Sequence, residues 1–252
     1  MRRGSLRLDG VWHAYGNATP VLADVSVAIE PGEVLVVHGR NGAGKTLLRI
    51  AAGVLRPRAG TAKHNGRVGY LPQRSDDPPP RLSAAAWLST VARTSGATAT
   101  RDRLDLLRML GVESAAAPLD TLSVGTLAKV MLAGAFGGAP DVVVLDEPFA
   151  SLDSSAMKTT LELIGAAATD GAAVLISDHD GAAATVATRI ATITDRRLDV
   201  QRAASRPARV RIVAADGKGS PIDVIVDAAA RDPLLMQLLS NGGSIFRVEE
   251  VR

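Results

Sequence analysis

Residues 39–46 read GRNGAGKT, and this octapeptide constrains the fold more than any other stretch of the chain. It matches the pattern G-x-x-x-x-G-K-[ST]. It lies between the β-branched run VLVVH (34–38) and KTLLRIAAGVL (45–55), which has helical spacing. A strand, a glycine-rich loop and a helix can together hold a phosphate, because the loop N–H groups and the helix N-terminus face the anion. The sequence therefore predicts a phosphate-binding loop inside an α/β fold.

The glycines, the lysine and the threonine of this loop each have a predicted role. Glycine lets the backbone curl around an anion without steric clashes from a Cβ atom. Lys45 is expected to reach the outer phosphates of a nucleotide, and Thr46 is expected to offer its hydroxyl to Mg²⁺. The simpler alternative is a glycine-rich turn that contains Gly-Lys by chance. The strand before the loop and the helix after it weigh against that alternative.

A second motif, VVVLDEP at residues 142–148, places two carboxylates at the end of a buried strand. Adjacent side chains of a strand point to opposite faces, but both can reach one cleft where the strand ends. Asp146 is predicted to hold the Mg²⁺ shell, and Glu147 is predicted to act as general base toward the attacking water. Two carboxylates would otherwise repel a bound triphosphate, so the pair implies a metal ion. The alternative is an acidic pair that only caps the strand.

Strands that alternate with helices predict an α/β fold with a mostly parallel sheet. We expect a P-loop NTPase core over residues 1–204, with a small antiparallel β region near the N-terminus and a helical insert at about 76–138. After Arg196 an arginine-rich stretch reads as a linker. Residues 205–252 follow the pattern β-β-α-β, which predicts a small C-terminal α+β appendage.

The periodicity of apolar residues predicts the individual elements within these limits. In the insert, 83–94 and 101–110 read as helices, and Leu104, Leu107 and Leu110 can share one face of the second. The remaining predictions are strands at 21–29, 34–38, 66–73, 141–148, 172–179, 189–194, 208–214, 221–227 and 244–251, and a helix at 232–240.

Charge and composition exclude several classes of function. The 29 basic and 26 acidic residues give a net charge of +3, which is too small to argue for nucleic acid, and we expect no nucleic-acid partner. The absence of cysteine excludes disulfides and thiol catalysis within the chain. The apolar stretch that comes nearest to a membrane span, 130–145, is interrupted by Pro140 and Asp141. We therefore expect a soluble protein that another protein must hold at any membrane.

These two motifs and four others occur in an order that resembles the ATPase subunit of ABC (ATP-binding cassette) transporters, over about residues 5–200. GRNGAGKT resembles the Walker A motif of that family, and VVVLDEP resembles Walker B with its catalytic glutamate. LSVGT (122–126) resembles the signature loop. Gln73 in YLPQ and His179 in ISDHD stand where the family has its Q-loop glutamine and switch histidine. Asp153 in SLD stands where the family has its D-loop.

The resemblance implies an ATPase that binds ATP together with Mg²⁺. In the family an aromatic side chain stacks on adenine, and Tyr15 in HAYG occupies that place. The implied metal-binding residues are Thr46, Gln73 and Asp146. The implied catalytic residues are Glu147, His179 and Gln73. The implied ATP-binding residues are Tyr15, Gly39, Asn41, Gly42, Ala43, Gly44, Lys45, Thr46 and Leu47.

In the family two subunits pair head to tail and enclose two ATP molecules, so the resemblance implies a homodimer. Ser123, Val124 and Gly125 would then contact the γ-phosphate bound by the other subunit. The usual signature reads LSGGQ, whereas Val124 and Thr126 here replace a glycine and the glutamine. Because a β-branched residue resists positive φ, we expect an ordinary backbone conformation at Val124. Ser123 and Gly125, which would make the phosphate contacts, are kept, so we expect hydrolysis to survive the change, at a rate that can be lower.

The same resemblance implies that the chain powers transport through a separate integral membrane permease, bound peripherally at the cytoplasmic, inner face of the cell membrane. The β-β-α-β tail with its closing FRVEEVR is similar to the tails of drug- or lipid-exporter ATPase subunits. The transported substrate and the direction of transport are not encoded in this chain, because the substrate path lies in another polypeptide.

Two other functions fit part of the pattern. Non-transport ABC ATPases act on ribosomes or DNA, but they usually carry two cassettes or long coiled-coil insertions, and this sequence has neither. A nucleotide-gated regulatory module without useful turnover is the second alternative, and the altered signature loop is its only support. An ATPase subunit of a transporter is the leading interpretation.

Overall fold

The computed structural model of the protein describes residues 4–39, 42–73, 81–94, 100–203, 209–217 and 219–251. The chain divides into two compact units, Met1–Gln201 and Arg202–Arg252. The boundary expected at residue 204 lies outside the described residues. The assignment of the two parts as separate domains stays a prediction.

The first unit alternates strands and helices along the chain. Its elements are β1 (Ser5–His13), β2 (Leu22–Ile29), β3 (Val34–Gly39), α1 (Ala43–Ala51), β4 (Ala59–Asn65), β5 (Val68–Leu71), α2 (Ala84–Thr94), α3 (Thr100–Met109), α4 (Val124–Phe136), β6 (Val142–Asp146), α5 (Ser154–Thr169), β7 (Ala173–Ser177), β8 (Arg189–Thr194) and β9 (Arg197–Arg202). Short 3-10 turns occupy Leu119–Thr121 and Ala182–Thr185.

The central feature of this unit is a six-stranded sheet with the order β5-β6-β7-β3-β8-β9. The pairs β5–β6, β6–β7, β7–β3 and β3–β8 are all parallel. The predicted α/β class with a mostly parallel sheet is therefore confirmed. The carboxyl ends of parallel strands meet at one edge of a sheet, and ligands bind there in folds of this type. The phosphate loop and the acidic pair both follow strands at this edge.

The inner strands of the sheet are buried on both faces, which explains why β3, β6 and β7 read as continuous apolar runs. Val34 and Val36 of β3 belong to a core cluster with residues of α4 and α5. Leu35 and Val37 alternate with them and belong to a second cluster, with residues of α1, β1 and β2. Because side chains alternate along a strand, β3 contributes to both core clusters, one on each face of the sheet.

A three-stranded antiparallel sheet with the order β2-β1-β4 lies in the N-terminal part. It matches the small antiparallel region that was expected there. Leu6 of β1 pairs with Ile29 of β2 on one side and with His64 of β4 on the other. The strand β4 is mostly exposed, so its sequence, AGTAKHN, carries little of the apolar alternation that identifies a strand.

The helical insert contains α2 and α3, which confirms the helices expected at 83–94 and 101–110. Leu107 and Leu110 are fully buried and Leu104 packs against the same cluster, as the shared face predicts. The part of the insert at 76–80 lies outside the described residues. Gly134 of α4 allows a close approach, because a Cβ atom there would lie 2.6 Å from the ring of Trp87.

Several local predictions are wrong in their limits, including the two that follow. The arginine-rich stretch after Arg196 is not a linker throughout, because Arg197–Arg202 forms the strand β9 at the edge of the central sheet. The helix expected to run to residue 55 ends at Ala51, and Gly53 turns the chain with a φ of 74°. A glycine takes this left-handed conformation at little cost.

The second unit has the elements β10 (Arg209–Ala215), β11 (Pro221–Asp227), α6 (Ala228–Ser240) and β12 (Ser244–Val251). Its sheet is antiparallel with the order β11-β10-β12. This is the β-β-α-β order that the sequence predicts, except that α6 starts at Ala228 rather than at residue 232. Ile212 and Ala214 are buried against Leu234, Leu235 and Leu238, so this unit has a small core of its own.

Candidate active site

The phosphate loop joins β3 to α1 as predicted, and its helix N-terminus is available to an anion. Gly42 is the N-cap of α1 with a φ of 76°, and no described side chain caps that terminus. Nothing in the described residues lies within 4 Å of a Cβ atom built on Gly42 or Gly44. The loop therefore has free space beside the uncapped helix N-terminus, which suits a phosphate group. Arg40 and the predicted ligand Asn41 lie outside the described residues.

The side chains of the first turn of α1 divide between cleft and core. Lys45 is exposed, whereas Ala43, Thr46 and Leu47 are buried. The Thr46 hydroxyl donates a hydrogen bond to the carbonyl oxygen of Gly42 at 3.3 Å. Tyr15, the residue expected at adenine, lies with its hydroxyl oxygen 3.1 Å from Thr46 Oγ1. The structure thus joins Tyr15 to the side chain that is expected to bind Mg²⁺.

Ser177 at the end of β7 contacts both residues of the acidic pair, through the Asp146 carboxylate and the Glu147 backbone. Its hydroxyl donates to Asp146 Oδ1 at 2.6 Å. The same oxygen accepts the backbone N–H of Glu147 at 2.9 Å. Parallel pairing of β6 with β7 places Asp146 directly opposite Ser177, which explains the contact. Ser177 is part of the site, but the sequence analysis did not single it out.

Asp146 is 3% exposed, and its environment disfavours the charged carboxylate. Burial raises the pKa of the Asp146 carboxyl above its usual value, and the charge of Glu147 raises it further. The hydrogen bond from Ser177 and the charge of Lys45 act in the opposite direction. A cation bound at this carboxylate would stabilise its ionised form. The Asp146 carboxylate and the Thr46 hydroxyl are oxygen ligands of the kind that Mg²⁺ prefers.

Glu147 lies between the two residues predicted to act with it. Gln73 Nε2 donates a hydrogen bond to Glu147 Oε2. His179 Nε2 lies 3.2 Å from the other carboxylate oxygen, Oε1. The glutamate also has a φ of 50°, an unusual value for a residue with a side chain. The structure therefore brings together the three residues predicted as catalytic, and it does so at a strained backbone position.

The signature residues form the N-terminus of α4. Ser123 is the N-cap, and its Oγ accepts the backbone N–H of Thr126 at 3.1 Å. Val124 begins the helix, is half exposed and has no positive φ. The conformation expected for a β-branched residue is therefore confirmed. A Cβ atom on Gly125 would lie 2.8 Å from the carbonyl oxygen of Ser151, so this glycine is required by the packing of the chain itself.

The predicted D-loop residue has a structural partner in the signature helix. Asp153 is the N-cap of α5, and its Oδ1 accepts the backbone N–H of Ala156 at 2.8 Å. Lys129 of α4 lies with Nζ 2.6 Å from Asp153 Oδ2. The Lys129 ammonium holds the pKa of the Asp153 carboxyl below its usual value. This ion pair ties the segment after the acidic pair to the helix that follows the signature.

Two cavities flank this cluster. One, of about 820 Å³, is lined by His38, Ala43 and His179 together with residues 20–21 and 192–196. The other, of about 500 Å³, is lined by residues that include Gln73, Val124 and Glu147. The first cavity is large enough for a nucleotide, because ligand sites commonly enclose 300 to 1,000 Å³. His38 was not predicted from the sequence.

The arrangement defines a class of protein, and comparison with known proteins agrees with it. The family described as ABC transporter matches residues 22–150, which is half of the chain. The protein belongs to the ABC transporter family and is an ATP-binding ATPase of that family. It binds ATP with Mg²⁺ and hydrolyses it. The expected drug- or lipid-exporter type is not supported by the comparisons, and that expectation is withdrawn.

Curated relatives of the chain include zinc import ATP-binding proteins named ZnuC. The protein of Paramagnetospirillum magneticum is 37% identical over 186 residues, which cover 69% of this chain and 68% of the relative. That of Pseudomonas aeruginosa strain UCBPP-PA14 is 36% identical over 170 residues, or 65% of this chain and 62% of the relative. The chain thus spans about two thirds of the length of these relatives.

Solved structures of the same fold were also found. The ATP-binding subunit of an ABC transporter superposes with a TM-score of 0.71 at 26% identity, covering 78% of this chain and 89% of that one. A dimeric bacterial ABC transporter cassette superposes with a TM-score of 0.70 at 21% identity, covering 79% and 99%. Among the described residues, no helix has the length and apolar character that crossing a membrane requires.

Proposed function

We propose that the protein is the ATP-hydrolysing subunit of an importer whose membrane permease is a separate polypeptide, and that the cargo is zinc. The contact of Glu147 with both Gln73 and His179, beside the buried Asp146, is the observation that carries the ATPase part of this proposal. The zinc import proteins among its relatives support the cargo and the direction. The protein then works at the cytoplasmic face of the membrane, bound to the permease.

The proposed binding step uses the phosphate loop. The N–H groups at the start of α1 and the Lys45 ammonium bind the phosphates of ATP. Thr46, Asp146 and Gln73 would hold Mg²⁺ through their side-chain oxygens, once Gln73 has left Glu147. The metal would neutralise charge on the outer phosphates. Because burial raises the pKa of the Asp146 carboxyl in the free protein, a bound cation would stabilise its ionised form.

The proposed hydrolysis step uses the three residues that meet at Glu147. A freed Glu147 carboxylate accepts a proton from the attacking water, and His179 turns its Nε2 toward the γ-phosphate. In the nucleotide-free protein both carboxylate oxygens of Glu147 are engaged, by Gln73 and by His179. Glu147 therefore becomes available as a general base only when nucleotide binding moves Gln73 and His179 away from its carboxylate.

The proposed active form is a head-to-tail homodimer. In it, Ser123 and the N–H of Gly125 contact the γ-phosphate held by Lys45 of the other subunit. The position of Ser123 and Gly125 at the N-terminus of α4 supports this role, because a helix N-terminus attracts an anion. A γ-phosphate that both subunits contact holds the dimer closed. Hydrolysis removes this phosphate and lets the dimer open. This cycle would drive the permease.

Steady-state ATP hydrolysis of the purified protein tests the ATPase part. The wild type is compared with Glu147→Gln and with Glu162→Gln, which makes the same change at an exposed residue of α5. We expect Glu147→Gln to lose at least about 100-fold in kcat, as removal of a general base does, and Glu162→Gln to retain the wild-type rate. Equal rates for the wild type and Glu147→Gln would refute the assignment.

Uptake of radioactive zinc by the native host tests the cargo. Deletion of the protein should lower uptake at limiting zinc, and the wild-type chain should restore it while Glu147→Gln does not. Parallel measurements with manganese and iron serve as the control for metal specificity. Unchanged zinc uptake in the deletion strain would exclude zinc as the cargo, whatever the ATPase rate.

A further inference from the structure

His38 occupies a position between the phosphate loop and the loop that carries His179. It is the next-to-last residue of β3, it is half-buried, and its ring lines the same cavity as His179. Its Nδ1 lies 2.5 Å from the carbonyl oxygen of Asp178. A carbonyl oxygen only accepts hydrogen bonds, so Nδ1 must carry the proton and act as donor.

This contact takes the place of the next backbone hydrogen bond between β3 and β7. The parallel strands β3 and β7 pair as far as Val37 and Ser177. One further backbone bond follows, from the N–H of Asp178 to the carbonyl oxygen of Val37 at 3.3 Å. Beyond that point β3 pairs with β8, at His38 and Gly39, before the phosphate loop begins. In the described residues the donor to the next carbonyl, that of Asp178, is the imidazole of His38.

The Asp178 side chain fixes the backbone on the other side of His179. Asp178 is 4% exposed. Its Oδ1 accepts the N–H of Asp180 at 3.1 Å, and its Oδ2 accepts the N–H of Ala183 at 2.7 Å. The carbonyl that His38 holds belongs to the peptide bond that leads into His179. His179 itself is 51% exposed on its side chain, so its orientation depends on this backbone.

We propose that His38 is a positioning residue for ATP hydrolysis. Its N–H holds the peptide before His179, and His179 thereby keeps its place beside Glu147 and the nucleotide. The inference rests on the proposed function of His179 and Glu147. Because His38 acts on the geometry of the hydrolysis step, its loss lowers kcat and leaves the KM for ATP nearly unchanged.

Three variants separate the hydrogen bond from the packing of the ring. His38→Leu removes the donor, whereas the side-chain amide of His38→Asn can present an N–H close to the place of Nδ1. His64→Leu makes the same change at an exposed residue of β4. We expect His38→Leu to lose about 10- to 100-fold in kcat, the scale of a 1 Å misplacement. His38→Asn should recover most of that loss, and His64→Leu should equal the wild type.

A double-mutant cycle with His179→Ala distinguishes positioning from a general structural effect. If His38 acts through His179, His38→Leu causes no further loss of kcat in the His179→Ala background. Equal fold-losses in both backgrounds would overturn the proposal, as would an unchanged kcat in His38→Leu alone. A wild type without hydrolysis would instead remove the proposed function and this inference with it.

The tautomer of His38 gives a readout that does not depend on activity or on the folding of a variant. In a long-range ¹H–¹⁵N NMR spectrum of the wild type, with the resonance assigned by its absence from His38→Asn, Nδ1 should carry the proton at neutral pH. A neutral ring protonated at Nε2 could not donate to the Asp178 carbonyl, and that result would overturn the proposal.

Discussion

At the scale of single residues, the site holds its charged groups in a costly arrangement. Glu147 has a left-handed backbone, and such strain costs of the order of 1 to 3 kcal/mol. Its N–H has two acceptors to offset that cost, the Ser177 hydroxyl at 2.9 Å and the Ser177 carbonyl at 3.2 Å. Asp146 is buried next to it. The strain and the burial are consistent with residues that serve catalysis rather than stability.

Removing the charge at Asp146 should stabilise the nucleotide-free protein while abolishing hydrolysis. Burial raises the pKa of this carboxyl in the folded protein, so the ionised form is disfavoured on folding. Asp146→Asn should raise the free energy of unfolding at neutral pH by roughly 0.5 to 2 kcal/mol, the range of changes that relieve functional sites. Its ATPase rate should fall to background. Urea denaturation and steady-state hydrolysis measure the two effects.

The sign of the pH dependence follows from the raised pKa. The penalty is fully present above the folded-state pKa and disappears as the pH falls toward the ordinary value of 3.8, where both states bind the proton. The stability advantage of Asp146→Asn over the wild type should therefore shrink on acidification. Asp199→Asn, at an exposed position, should show no such trend. An Asp146→Asn protein that is less stable at neutral pH would contradict this account.

Tyr15 should oppose nucleotide binding in the free protein. Its hydroxyl contacts Thr46, whereas adenine lies a ribose and a chain of phosphates away from the metal, so the ring must leave Thr46 in order to stack. Tyr15→Phe keeps an aromatic ring and removes a hydrogen bond worth about 0.5 to 1.5 kcal/mol. We expect Mg²⁺·ATP to bind about two- to tenfold more tightly to this variant by calorimetry.

The matched variant for Tyr15→Phe is Tyr15→Leu, which removes the hydroxyl and the ring together. It should bind Mg²⁺·ATP more weakly than Tyr15→Phe, because aromatic stacking is lost. Weaker binding by Tyr15→Phe than by the wild type would show that the hydroxyl supports the bound nucleotide instead of opposing it.

At the scale of elements, the strand ends at one edge of the central sheet assemble the site. The ends of β3, β6 and β7 supply the phosphate loop, the acidic pair and the segment with His179. The N-terminus of α4 carries the signature residues, and the ion pair of Lys129 with Asp153 ties α4 to the start of α5. These strand and helix ends contribute both to the packing of the fold and to the active site. Substitutions there must therefore preserve the helix caps.

Ser123→Asp should separate the two roles of the signature serine. Aspartate is as good an N-cap as serine, so α4 should keep its capped terminus. A carboxylate there repels the γ-phosphate of the other subunit, and ATP-dependent dimerisation in a Glu147→Gln background should be lost. Ser123→Asn, a neutral residue that also caps helices, is the matched control and should retain it. Analytical ultracentrifugation with ATP makes the measurement, and equal dimer formation by both variants would contradict the trans contact.

The sequence predicted the motifs well but not their neighbours. GRNGAGKT and VVVLDEP carry their signal in consecutive residues, so the strands, the loop and the acidic pair could be located. The contacts of Ser177 and His38 depend on which strands lie side by side, and residues more than 30 positions apart give no local sign of that pairing. The strands β1, β4 and β9 were not predicted individually. Of these, β4 and β9 are mostly exposed and lack apolar alternation.

At the scale of the whole molecule, the chain combines an ABC ATPase with a second compact unit, Arg202–Arg252. In the proposed cycle the ATPase part acts as a pair, with each nucleotide held by Lys45 of one copy and Ser123 of the other. The N-termini of α1 and α4 are the two helix ends that a γ-phosphate would join. The central claim is that this phosphate controls association of the two copies.

The molecular mass of Glu147→Gln in solution with and without Mg²⁺·ATP tests that claim most directly. This variant binds ATP but should hydrolyse it too slowly to reopen the pair, so multi-angle light scattering should give a dimer with Mg²⁺·ATP and a monomer with Mg²⁺·ADP. Glu162→Gln, which hydrolyses ATP, should show far less dimer under the same conditions. A Glu147→Gln protein that binds Mg²⁺·ATP and remains a monomer at every concentration would contradict the account.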